Sequence, residues 1–96
     1  MDGCRMVVMK QIDTCLTRVF EGKPPLQQKW KAFISDSGYC KGELHLYHYH
    51  HLVLVYNVEK NYIMYEWWEK QADKRGLESA KEWLQERKSK LQENAV

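Results

Sequence analysis

The chain has little of several features that would mark a specialised class of protein. Its longest apolar run, Leu52–Tyr56, is five residues long, whereas a transmembrane helix needs about 20. Only two residues are proline and five are glycine, which excludes collagen-like and low-complexity chains. No basic segment followed by a long apolar core occurs after Met1, so we expect no secretory signal. We therefore predict a protein that has no membrane partner.

An excess of charge of one sign is also missing. Fifteen Lys and Arg residues face thirteen Asp and Glu residues, which gives a formal net charge of +2. Proteins that bind duplex DNA usually carry a larger basic excess, so this balance permits nucleic acid without predicting it. Hydrophobic residues make up 44% of the 96 residues, which is more than a disordered chain contains. We predict one globular domain over residues 1–96, with a small core.

The cysteines do not form a recognisable framework. Cys4, Cys15 and Cys40 are an odd number and include no CxxC pair, whereas small secreted domains usually carry an even set. We predict reduced thiols in an intracellular protein, either cytoplasmic or nuclear. A glycine-rich phosphate loop is also missing, so the sequence predicts no cofactor.

Two helices are predicted near the ends of the chain. In residues 5–21, apolar side chains such as Ile12 and Leu16 recur at helical spacing. Gly22 is a suitable C-terminal cap, and Pro24-Pro25 prevent continuation. Residues 77–93 show a second apolar stripe, formed by Leu77, Ala80, Leu84 and Leu91.

The segment between these helices favours extended structure. Residues 26–34 fit either a short helix or a strand. Residues 43–58 are strand-like, with Leu44, Leu46, His48 and His50 on one face. A bend at His50-His51 is an alternative, although neither residue is a good turn former. A hairpin is expected to pair residues 52–58 with residues 62–68. The predicted fold is α+β: a small antiparallel sheet of about three strands, with an N-terminal and a C-terminal helix packed on one face.

Four histidines, at positions 45, 48, 50 and 51, form the densest group of possible metal ligands. On an extended strand His48 and His50 would lie about 6.6 Å apart on one face, a spacing that two zinc ligands can use. Cys40, Glu43 or Glu59 could supply a third ligand, but no second ligand pair is present. Alternating His and Tyr side chains are more typical of cross-strand pairs on a half-exposed sheet, and we predict no metal.

Catalytic motifs are also not found. Cys40 lies close to the histidines in sequence, but no strand-to-helix elbow or oxyanion-hole signature accompanies it. We predict a protein without enzymatic activity.

Aromatic residues give the strongest functional signal. Residues 39–68 hold eight of the twelve aromatic side chains but only two lysines, Lys41 and Lys60. Exposed rings either anchor protein partners or stack on unpaired bases, and base stacking requires interleaved cations. We therefore predict an interaction domain that binds a protein partner or a second copy of itself. The candidate residues are Tyr47, His48, Tyr49, His50, Trp67 and Trp68.

The alternative is a nucleic-acid-binding module that uses the basic flank of the C-terminal helix. Lys74, Lys81 and Lys88 are seven residues apart and align on that flank. The candidates for phosphate contacts are Lys74, Arg75, Lys81, Lys88 and Lys90. An acidic series at Glu78, Glu82 and Glu86 lies beside them, which weakens this alternative.

Overall fold

The computed structural model describes residues 2–26 and 28–93, with side chains for residues 8–26 and 28–91. Within these ranges a four-stranded antiparallel sheet follows one helix and precedes another, which confirms the predicted α+β class. The elements are α1 (Asp2–Phe20), β1 (Trp30–Ile34), β2 (Glu43–His48), β3 (His51–Asn57), β4 (Tyr62–Glu66) and α2 (Gln71–Glu93), with a short 3-10 turn at Gly38–Cys40. The strands lie in the order β1-β2-β3-β4.

Helix α1 ends as the sequence predicts. Gly22 adopts a φ of 78°, and the Lys23 N–H donates to the Arg18 carbonyl at 2.9 Å. This arrangement satisfies a free carbonyl at the helix end, and glycine adopts it without steric cost. Its buried side chains, Ile12 and Leu16, face the sheet and α2.

The ambiguous segment of residues 26–34 contains strand β1. Trp30 and Ala32 are buried, whereas Phe33 is exposed, and this alternation matches the two-residue period of a strand. Hydrogen bonding to β2 fixes the register, which places Ala32 opposite Leu46.

The prediction of one continuous strand over residues 43–58 is wrong. The chain reverses at Tyr49 and His50, and β2 pairs with β3 from His48 opposite His51. Tyr49 has a φ of 57°, a conformation that two-residue turns usually assign to Gly, Asn or Asp. Because the turn lacks such a residue, the sequence does not signal it. The sheet therefore has four strands rather than about three.

The second predicted hairpin is present as β3 and β4. Its turn includes Asn61, which has a φ of 57°, and the Asn57 side chain accepts a hydrogen bond from the Lys60 N–H at 2.8 Å. Strand β4 ends at Glu66, so Trp67 and Trp68 lie beyond the strand that was expected to contain them.

The strand register separates the sheet into two faces. The helix-covered face consists of Trp30, Ala32, Ile34, Leu44, Leu46, His48, His51, Leu54, Tyr56, Ile63 and Glu66. Most of these side chains are buried together with Leu77, Ala80 and Leu84 of α2. The helices also contact each other, because the Trp83 indole N–H donates to Asp13 at 2.9 Å. No helix in the described ranges is long and apolar enough to cross a membrane.

Helix α2 begins at Gln71, earlier than the predicted start at Leu77. The carboxylate of Asp73 accepts hydrogen bonds from the backbone N–H groups of Lys70 at 3.0 Å and Glu69 at 3.3 Å. These contacts satisfy N–H groups at the helix start that have no partner within the helix. An acidic side chain near a helix N-terminus also interacts favourably with the helix dipole.

Candidate interaction surface

The side of the sheet that the helices leave uncovered forms a surface that we call the open sheet face. The register places its residues in three rows across the strands. The first row is Lys31, Tyr47 and Leu52; the second is Phe33, His45, Val55 and Tyr65; the third is Glu43, Asn57 and Tyr62.

Aromatic rings project from both edges of the open sheet face. Phe33 on β1 is 46% exposed, and Tyr62 and Tyr65 on β4 are 47% and 44% exposed. The Phe33 ring meets the Tyr47 ring edge-on, with centroids 6.1 Å apart. Between these edges Val55 is buried, so the middle of the face is apolar and closely packed.

The open sheet face carries almost no charge. Of its ten residues, Lys31 and Glu43 are the ones with a formal charge, and they lie in the first and third rows. The Glu43 carboxylate also pairs with His45 at 3.0 Å. An antiparallel sheet with one covered face usually presents polar side chains to water on the other. This face instead presents the exposed rings of Phe33, Tyr62 and Tyr65.

The predicted binding residues are spread over several places. Tyr47 lies on the open sheet face. Tyr49, which is 58% exposed, and the exposed His50 lie in the turn between β2 and β3. Trp67 is partly buried and meets His51 edge-on at 5.2 Å. Trp68 is 47% exposed, with the Lys74 ammonium group 4.9 Å from its ring centre.

His48 is positioned differently from the prediction. Its side chain lies on the helix-covered face, where the ring stacks on Trp30 at 4.2 Å. The Nδ1–H of His48 donates to the Asp73 carboxylate at 2.5 Å, and His51 Nδ1 lies 3.7 Å from the same oxygen. His48 is 8% exposed, so it cannot contact a partner across the open sheet face.

The Asp73 carboxylate is held in its charged form. Burial raises the pKa of Asp73, but hydrogen bonds from the Lys70 N–H, His48 and the Glu69 N–H outweigh burial and lower the pKa from 3.8 to about 2. A carboxylate that orients an imidazole through Nδ1 is a feature of acid–base catalysis. Among the described residues, however, no group hydrogen-bonds to Nε2 of His48. The geometry supports a structural tie between β2 and α2.

The proposed pair of metal ligands does not form. His48 is bound to Asp73, while His50 lies in the turn, so the two imidazoles do not share a strand face. A different group comes together at the opposite end of β2. Ligand atoms of Cys40, Glu43 and His45 all lie within 4.8 Å of one another.

The basic residues of the alternative prediction are partly engaged within the chain. Lys81 donates to Glu66 at 3.1 Å, and Lys74 lies over Trp68. Arg75 borders a groove that also contains Glu78 and Glu82.

The last two basic residues lie near the C-terminal end of α2. Lys90 lines another groove, together with Asp13 and Glu86. Lys88 is half-buried. Acidic groups thus accompany Lys81, Arg75 and Lys90.

Three residues of the open sheet face, Phe33, Tyr62 and Tyr65, were missing from the predicted set. Phe33 was overlooked because residues 26–34 fit a helix as well as a strand. The two tyrosines lie in a segment correctly expected to be extended, but without the register their face was unknown. Tyr62 lies opposite Asn57 and Tyr65 lies opposite Val55, which places both rings on the open sheet face.

Comparison with protein-family models, with curated proteins and with solved structures gives no match for this chain.

Proposed function

We propose that this chain is a protein-interaction domain without enzymatic activity, and that its open sheet face packs against the same face of a second copy. The observation that carries the proposal is the set of exposed rings, Phe33, Tyr62 and Tyr65, on a face where an antiparallel sheet usually has polar side chains. Burial of apolar surface is the main force in protein association, so this face gains most when a second layer covers it.

The two-layer fold suggests that the open sheet face would be covered by a second sheet. Helices already cover one side of the sheet, and none of the described residues forms a second layer on the other side. Two antiparallel sheets can pack face to face about 10 Å apart, with side chains from both inner faces filling the space. The middle row of Phe33, His45, Val55 and Tyr65 would form the centre of that contact.

The charges on the face are compatible with a two-fold dimer. Lys31 and Glu43 lie in the two outer rows, on either side of the uncharged middle row. A two-fold axis that lies in the plane between two copies can bring each Lys31 over the Glu43 of the other copy. Such a contact is self-complementary, as the interface of a symmetric dimer must be.

The available area indicates a weak dimer. Phe33, Tyr62 and Tyr65 are each nearly half exposed, so together they offer roughly 250–300 Å² of ring surface. A stable interface buries about 800 Å² on each partner. The rings supply about a third of that area, and Leu52 and Tyr47 add less because they are already half-buried. We expect a dimer that dissociates on dilution.

Sedimentation equilibrium over a range of concentrations tests the proposal. We expect a reversible monomer–dimer equilibrium in the wild type. Tyr65→Lys places a charge from each copy into the contact, and we expect it to raise the dissociation constant at least about tenfold, or about 1.4 kcal/mol. Tyr39→Lys is the matched control, because Tyr39 is fully exposed and lies outside the open sheet face.

Two results would contradict the proposal. One is a wild-type chain that stays monomeric up to millimolar concentration. The other is a dimer that both lysine variants weaken equally, since that would indicate a general charge effect rather than contact through this face.

Nucleic-acid binding is the alternative function, and a salt titration distinguishes it. If Lys88, Lys90 and their neighbours contacted phosphates, oligonucleotide affinity would fall steeply with rising salt. We expect no such binding, because Lys74 and Lys81 are already engaged with Trp68 and Glu66. A steep salt dependence that Lys88→Gln reduces would favour the alternative.

An intracellular location, cytoplasmic or nuclear, belongs to the same proposal. Its support is that Cys15 and Cys40 are unpaired among the described side chains, and reduced thiols are typical of these compartments.

A further inference from the structure

The open sheet face ends at a cluster of three side chains, Cys40, Glu43 and His45. Glu43 and His45 also lie on the face that the proposed dimer would cover, but the cluster is present within a single copy. Glu43 and His45 are two residues apart on β2 and therefore point to the same side of the sheet. Cys40 ends the 3-10 turn just before β2. Gly42, with a φ of 84°, bends the chain between them. The result is a thiol, a carboxylate and an imidazole with ligand atoms within 4.8 Å of one another.

These three donor types suit zinc(II). Zinc binds thiolate sulfur at about 2.3 Å and imidazole or carboxylate atoms at about 2.0–2.2 Å. In a tetrahedral site the ligand atoms are therefore about 3.3–3.6 Å apart. His45 Nε2 and Glu43 Oε1 are already 3.0 Å apart. Because Cys40 is exposed, its side chain can rotate to complete the geometry without disturbing the core.

A further carboxylate lies beside this cluster. A side chain built at Gly42 would place its Cβ 3.5 Å from Glu59 Oε1, so the Glu59 carboxylate approaches the backbone between Cys40 and Glu43. Its negative charge favours a cation at this site. A larger residue at position 42 would also be strained by the positive φ.

We propose that Cys40, Glu43 and His45 form a zinc(II) site whose fourth position is open to water or to a donor from another molecule. The imidazole binds through Nε2, so the proton that Nε2 now shares with Glu43 is carried on Nδ1 in the metal-bound form. Three protein ligands with one open position is an arrangement that zinc adopts in reactive sites.

Titration of the full-length protein with cobalt(II), a spectroscopic substitute for zinc, tests the proposal. We expect one cobalt ion per chain, a thiolate-to-cobalt charge-transfer absorption, and its loss when zinc is added. Cys40→Ser should abolish that absorption. His45→Asn should lower the cobalt affinity at least about tenfold. Losing a residue that only hydrogen-bonds to a metal ligand already costs about 10–100-fold, and His45 would be a ligand itself. Circular dichroism confirms that each variant is folded.

Matched controls separate this site from other donors in the chain. Cys15→Ser should leave the absorption unchanged, because burial raises the pKa of Cys15 to about 11 and little thiolate forms there. His50→Asn should also have no effect, since His50 lies beyond the opposite end of β2. The proposal is overturned if the absorption persists in folded Cys40→Ser, or if Cys4→Ser, Cys15→Ser or His50→Asn removes it.

The zinc proposal and the dimer proposal can fail separately. Tyr65→Lys, which should disrupt the dimer, lies on β4, away from the three ligands. We therefore expect its cobalt absorption to equal that of the wild type.

Discussion

The pairing of His48 with Asp73 ties the turn between β2 and β3 to the first turn of α2. A buried, charged carboxylate is stable only when its hydrogen-bonding capacity is met. Here His48 and two backbone N–H groups meet it. Because the same carboxylate also satisfies the helix start, one side chain stabilises both the helix boundary and its position against the sheet.

This arrangement predicts an acid-sensitive contribution to stability. The folded pKa of Asp73 is about 2, below its ordinary value of 3.8. The contribution is therefore present above about pH 4 and is lost as the pH falls towards 2. A shift of this size corresponds to about 2–3 kcal/mol. We expect urea unfolding to show this loss in the wild type, and a smaller loss in Asp73→Asn.

Asp36→Asn is the control for that experiment, because Asp36 is exposed in the loop after β1. Its stability profile should follow the wild type. Parallel profiles for the wild type and Asp73→Asn between pH 4 and pH 2 would show that the carboxylate is not responsible.

The turn residue Tyr49 gives a second prediction at this scale. A left-handed conformation costs most residues about 1–2 kcal/mol, but Asn tolerates it better. Asn61 in the next hairpin already has the same positive φ of 57°. We expect Tyr49→Asn to raise the free energy of unfolding by about 0.5–1 kcal/mol through relief of this backbone strain. Loss of the contact between the Tyr49 and His48 rings reduces that gain. Tyr39→Asn, at a fully exposed site with a negative φ, should have no comparable effect.

Among the elements, the two helices could be predicted from the periodicity of their apolar residues, whereas the number of strands could not. Ile12 and Leu16 in α1, and Leu77 and Leu84 in α2, are buried as their spacing predicts. The turn at Tyr49 could not be predicted because a bulky residue occupies a position that normally signals a turn through its residue type. The start of α2 at Gln71 could not be predicted either, because it depends on hydrogen bonds from the Glu69 and Lys70 N–H groups to Asp73, and these residues belong to no apolar pattern.

The close approach of α2 to β1 depends on Gly76. Glycine normally weakens a helix by about 1 kcal/mol relative to alanine, so Gly76→Ala would stabilise an isolated α2. A methyl group at this position would overlap the buried ring of Trp30. Overpacking a core typically costs about 1–3 kcal/mol.

We therefore expect Gly76→Ala to destabilise the protein by about 1–3 kcal/mol in urea unfolding. Gln85→Ala, at an exposed position of the same helix, should change stability little. A gain in stability for Gly76→Ala would show that α2 and Trp30 do not approach each other as closely as described.

At the scale of the whole molecule, residues 2–26 and 28–93 form a two-layer arrangement in which the helices cover one side of the sheet. The sequence correctly indicated a surplus of rings in the sheet region and little charge among them. The face of each side chain, however, depends on a register that composition does not reveal. The predicted binding residues were Tyr47, His48, Tyr49, His50, Trp67 and Trp68, of which Tyr47 lies on the open sheet face. The rings most exposed on the open sheet face belong to Phe33, Tyr62 and Tyr65, whereas the predicted Tyr49 and Trp68 are exposed in the turns that flank the strands.

The group of Cys40, Glu43 and His45, which we propose as a zinc site, illustrates the same limit. From the sequence, His48 and His50 were the possible ligand pair, with Cys40, Glu43 or Glu59 as a possible third ligand, and no metal was predicted. Alternation along β2 puts His45, not His48, on the side of Glu43. The turn at Tyr49 then removes His50 from the strand.

Amide chemical shifts recorded by NMR over a range of protein concentrations test the central claim most directly. If two copies pack through the open sheet face, the shifts that change with concentration will cluster on that face, including Phe33, Val55 and Tyr65. The exposed face of α2 will remain unaffected. Shifts that change only along α2, or spectra that are identical at every concentration, would contradict the account.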